Sequence, residues 1–131
     1  MPNSRMQFRF RRTWFIASLL SLVLVLILTH IPQEVMPRVL QRRMFDKVEH
    51  VGAYGLITIL FLLSLPNPVR VVPAVAGLLL LAGVGVLDET TQPLVSRIAS
   101  VGDYVSDLIG IGAACVIFLI KKRLEVDTTT L

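Results

Sequence analysis

Three short polar runs interrupt an otherwise apolar chain. The first is Asp46-Lys47-Val48-Glu49-His50, the second Asp88-Glu89-Thr90-Thr91-Gln92, and the third Asp103-Tyr104-Val105-Ser106-Asp107, with Arg97 between the last two. Carboxylates and a histidine can exchange protons near neutral pH. An arginine presents a planar fork that fits a phosphate. Carboxylates with a histidine are also ligands for a divalent metal. Asp46, His50 and Tyr54 recur every four residues, as do Asp103 and Asp107. On a helix, each set forms one stripe. Gly110 and Ala114 continue the second stripe, and small residues let helices approach closely, so that stripe is expected to face the interior of a bundle. Gly85, three residues before Asp88, points the same way.

The elements that carry these runs are set by hydropathy. The chain has 131 residues, 54% of them hydrophobic, more apolar surface than a soluble domain of this size can bury. A membrane helix needs about 20 mostly apolar residues, and four such spans are expected, at about 13–31, 50–66, 70–88 and 104–120. The fold class is therefore all-α, one integral membrane bundle of four transmembrane helices over residues 1–131. A cleaved leader is not expected: the first apolar run is long, and Thr29-His30-Ile31-Pro32 offers no small-residue cleavage site. Pro66-Asn67-Pro68 marks a turn after the second span. Residues 34–45 read as a short amphipathic surface helix or a plain loop. Cys115 lies in an apolar run and reads as a packing residue.

Four antiparallel spans place the start of the second, the end of the third and the start of the fourth at one membrane face. Seven of the nine acids then share that face: Glu34, Asp46, Glu49, Asp88, Glu89, Asp103 and Asp107. The other face collects eight of the thirteen Lys and Arg, against five with the acids. Excess basic charge marks the cytoplasmic side. Both termini are thus expected in the cytoplasm of a cell whose inner membrane holds the chain, with the acids outside. The basic residues flank spans and do not line a face, so no nucleic-acid partner is expected.

Each polar residue also has a purely structural reading. Asp46 with Glu49, and Ser100 with Asp103, have the spacing of helix capping boxes. Glu89 can face water, Gln92 can end a helix before Pro93, His50 can be a hydrogen-bonded bundle residue, and Tyr54 an interfacial ring. Asp107 resists such a reading. It lies about one turn inside its span, where a carboxylate costs about 2.5–3.5 kcal/mol without a partner. It is expected to pair with Arg97 or Lys47, the nearest cations, or to be met by a proton or water.

The ordered set Asp46-Lys47-x-x-His50-x-x-x-Tyr54, Asp88-Glu89-x-x-Gln92, Arg97 and Asp103 resembles the VanZ-like family, over roughly residues 14 to 120. The resemblance implies a small bacterial four-helix membrane protein. The founding member of that family is linked to low-level glycopeptide resistance. The family typically carries Asn at the position of Asp107 and often Pro-Gly before the position of Arg97, where this chain has Ser96.

The expected function is action on, or binding of, a lipid or cell-envelope headgroup at the outer polar cluster. The candidate catalytic residues are Asp46, His50, Asp88, Arg97 and Asp103, with Lys47, Tyr54, Glu89, Gln92 and Asp107 as further site residues. The alternative is a non-catalytic protein whose cluster locks the helices or holds a ligand. Acids outnumber cations in the cluster. Protons, a divalent metal or a cationic ligand are the candidates to balance them. The expected partners are membrane lipids; the residues name neither a cofactor nor an oligomeric state.

Overall fold

A computed structural model describes residues 10–35 and 43–129. Among these, four α-helices carry nearly all of the chain: α1 (Arg12–Thr29), α2 (Arg43–Ser64), α3 (Val71–Thr91) and α4 (Val101–Thr129). Short 3-10 turns at Gln33–Val35 and Gln92–Val95 complete the ordered elements. All four helices are long and apolar enough to cross a membrane. The chain is an all-α, multi-pass membrane bundle.

Local sequence explains where each helix begins and ends. α1 is an unbroken run without Gly or Pro, and it stops just before Pro32. Pro73 falls in the first turn of α3, where its missing N–H removes no intrahelical bond. α3 passes into the turn holding Pro93, and Ser96 then adopts a left-handed conformation (φ 60°) that reverses the chain. The α4 start is capped by Ser100, whose Oγ accepts the Asp103 N–H at 3.3 Å. The second half of the expected capping box is absent, because the Ser100 N–H donates to Glu89 instead.

Three expected spans were drawn short at their polar ends; α3 runs on to Thr91, past residue 88. α2 begins at Arg43, not near residue 50, so Asp46 lies inside the helix and is not its cap. α4 continues through Lys121, Lys122 and Arg123. Of the segment read as a surface helix or loop, residues 36–42 lie outside the described residues; its first part enters a 3-10 turn and its last residues open α2.

Lipid supplies no hydrophobic drive between helices, so association rests on close packing and polar contacts. α2 is the hub: it packs most extensively on α4, then on α1, and also touches α3. α2 and α4 run parallel, two helices apart in an up-and-down order. They come close at Gly110, where a Cβ would strike the carbonyl of Val51. Ala114 is buried one turn further on, so the small-residue stripe faces inward as its spacing predicts. Tyr54, Ile57, Leu81 and Ile111 form the apolar core beside the polar cluster. α1 is tied to α2 by Ser18, whose Oγ donates to the Ile57 carbonyl at 3.0 Å. It is also tied by the Arg11 N–H to the Ser64 carbonyl at 2.9 Å. Leu20, Leu24, Leu79, Leu80, Ile117 and Leu119 point outward, as lipid-facing residues do.

Candidate functional site

Parallel packing sets which residues meet. Asp46 and His50 on α2 stand beside Asp103 and Asp107 on α4, one stripe facing the other. His50 Nδ1 lies 2.7 Å from Asp107 Oδ1, joining residues 57 positions apart. Lys47 Nζ donates to Asp103 Oδ1 at 2.8 Å, 56 positions apart. A nearly constant offset is the signature of two parallel helices in register. The His50–Asp107 pair is deeply enclosed, with side-chain exposures of 5% and 0%.

Asp107 therefore pairs with His50, not with Arg97 or Lys47 as expected from the sequence. Lys47 is held by Asp103. Arg97 reaches from the α3–α4 connection to Asp46, with Nη2 3.6 Å from Oδ1, and to the Leu28 carbonyl at 3.5 Å. Parallel register explains the outcome, because it brings together residues at equal depth, and His50 matches the depth of Asp107.

The other face of His50 looks toward α3. Its Nε2 is 4.0 Å from Glu89 Oε1. Glu89 is buried rather than in water: Gln92 Nε2 donates to its Oε1 at 3.1 Å and the Ser100 N–H to its Oε2 at 2.8 Å. Gln92 is buried as well, so it does more than end a helix. His50 thus sits between two carboxylates, one hydrogen-bonded and one a short step away. A hydrogen bond at Nδ1 fixes the ring and its tautomer, leaving Nε2 as the atom that can take or give a proton. This is how a carboxylate orients a histidine general base.

Asp88 belongs to a neighbouring subcluster. Its Oδ1 accepts the Thr29 hydroxyl at 2.6 Å and lies 3.4 Å from His30 Nδ1. His30 Nε2 is in turn 3.0 Å from the Thr91 hydroxyl. Thr29, His30 and Thr91 were not expected as site residues, and Ser100 was expected only as a helix cap. The polar pair Thr29-His30 closing an apolar run was the available signal.

Tyr54 is fully buried, not interfacial. Its hydroxyl has no hydrogen-bond partner among the described residues, and the same holds for Asp88 Oδ2 and Asp107 Oδ2. Asp107 Oδ2 overlies Gly85, 3.0 Å from where a Cβ would stand. A larger residue on α3 would press on that carboxylate.

Of the expected site residues, Asp46, Lys47, His50, Glu89, Gln92, Arg97, Asp103 and Asp107 form one network at one end of the bundle. Asp88 and Tyr54 flank it. Beside the network a cleft of about 370 Å³ opens between α1 and α2. Val25, Leu28 and Ala53 make its apolar wall, and Asp46, Glu49, His50 and Arg97 its polar end. Asp46, His50 and Asp103 each offer a ligand atom within 4.8 Å of the others, a spacing suited to a metal ion. Both of these carboxylates already hold a cationic side chain. A metal would have to displace Lys47 and Arg97 or share with them.

No family model, no curated protein and no solved structure matches this chain.

Proposed function

We propose that this chain is a VanZ-like membrane protein of a bacterial inner membrane whose polar cluster acts on a lipid or lipid-linked envelope headgroup, with His50 as the acid–base group. The supporting observation is a histidine fixed by a buried carboxylate at 2.7 Å that also lines a cleft, polar at one end and apolar along its wall. A membrane lipid has the same division. Its headgroup would meet Arg97, Asp46 and Glu49, while its chains lie along Val25, Leu28 and Ala53. Arg97 would hold a phosphate, since guanidinium binds phosphate oxygens in pairs. The eight-to-five basic bias supports termini in the cytoplasm and the cluster on the outer face.

The test compares membrane lipids and envelope precursors in cells with the gene, without it, and with His50→Gln. A headgroup species that accumulates in both the deletion and the His50→Gln strain supports the reading. Identical profiles in all three reject it.

One observation favours a second reading, in which the cluster only locks the helices. Lys47 with Asp103, Arg97 with Asp46 and His50 with Asp107 are paired within the chain. Alanine changes at His50, Asp88, Arg97 and Asp103 separate the two. If every change that removes a phenotype also removes folded protein, the cluster is scaffolding.

A further inference from the structure

The cleft between α1 and α2 carries more information than its division into polar and apolar parts. Among the described residues that line it, two carboxylates, Asp46 and Glu49, face one guanidinium, Arg97. Asp46 already leans on Arg97 at 3.6 Å, whereas Glu49 makes no ion pair among the described residues. An anionic headgroup would bring negative charge to an end where, among the described lining residues, carboxylates outnumber guanidinium. A headgroup bearing both a phosphate and an amine answers both signs. Among the described residues, no aromatic ring lines this cleft. Quaternary ammonium groups are recognised by aromatic faces, whereas a primary ammonium donates hydrogen bonds to carboxylates.

We propose that the cleft selects a zwitterionic phospholipid with a primary amine, its ammonium on Glu49 and its phosphate on Arg97. This rests on the headgroup reading and narrows it to one lipid class. Asp46 then sets the position of the Arg97 fork, and Ala53 gives the chains room to enter between the helices.

The test is native mass spectrometry of the full chain in detergent micelles. Phosphatidylethanolamine, phosphatidylcholine and phosphatidylglycerol with identical acyl chains are added in equal amounts. The expected result is that phosphatidylethanolamine is retained about tenfold over the other two, the scale of one charge-assisted hydrogen bond. Glu49→Gln, at an exposed position, lowers it to the phosphatidylcholine level. Ala53→Trp fills the cleft and removes retention of all three; Leu28→Trp does the same from the α1 side if the first variant does not fold. Retention that depends on the cleft but ignores the headgroup, or survives Glu49→Gln unchanged, overturns the selectivity and leaves a headgroup site. Retention indifferent to both tryptophans overturns that site as well.

Discussion

Replacing Asp107 probes the pair at the centre of the network. The carboxylate is fully enclosed, and its Oδ1 is 2.7 Å from His50 Nδ1. Asp107→Ala leaves a buried imidazole facing nothing that accepts its proton. Removing one partner of a buried charged pair costs about 3–5 kcal/mol, and of a neutral buried hydrogen bond about 1–3 kcal/mol. Both ranges include about 3 kcal/mol, the expected loss. Asp107→Asn keeps an acceptor at Oδ1 and exchanges a charged hydrogen bond for a neutral one, so its expected loss is about 1 kcal/mol. The assay is reversible unfolding in mixed micelles, followed by helicity, for both variants, His50→Ala and the double alanine. The double variant should lose about 2 kcal/mol less than the sum of the single losses, because each single change already breaks the shared bond. Single losses that add to within about 0.5 kcal/mol would show that the two groups are not coupled, and the reasoning from register would fail.

Three further outcomes follow from the geometry. Gly110→Ala should lower stability by about 1–3 kcal/mol through collision with the Val51 carbonyl, while Gly112→Ala, which meets open space, should not destabilise; thermal unfolding in detergent compares them. Ser18→Ala should weaken the hold of α1 on α2 by about 0.6 kcal/mol, the mean for an interhelical hydrogen bond in a membrane, read as faster proteolysis of the α1 end. A cytoplasm-only reporter should be active at the C-terminus and a periplasm-only reporter after Arg43; the reverse pattern would invert the proposed orientation.

How much of this was legible in the sequence follows from what each signal measures. Hydropathy finds the lipid-facing part of a helix, so four spans were readable. It stops at charged residues, however, and therefore missed the first turns of α2, where Asp46 and Lys47 are helical but paired off lipid. The spacing of Asp103, Asp107, Gly110 and Ala114 showed which side of α4 faces inward, because a helix repeats its faces at that interval. Spacing along one helix says nothing about height on its neighbour, which is why Asp107 was matched to the nearest formal cations and not to His50. The parallel relation of α2 and α4 was implicit in the up-and-down order. Aligning Asp46 with Asp103 would have placed His50 beside Asp107. Glu89 was assigned to water because one partner, the Ser100 N–H, is brought to it only by the turn at Ser96, whereas the other, Gln92, lies one helical turn away and was within reach of the spacing.

The most direct measurement is turnover by the purified chain. Wild type and His50→Gln, matched for folded protein, are reconstituted into liposomes of total envelope lipid, and headgroup products are followed by mass spectrometry. The account predicts a new headgroup product with wild type and at least a hundredfold less with His50→Gln, the usual scale of about 10²–10⁴ for a lost acid–base group. Equal product from both proteins, or none from wild type, would contradict the assignment of His50 as the acid–base group.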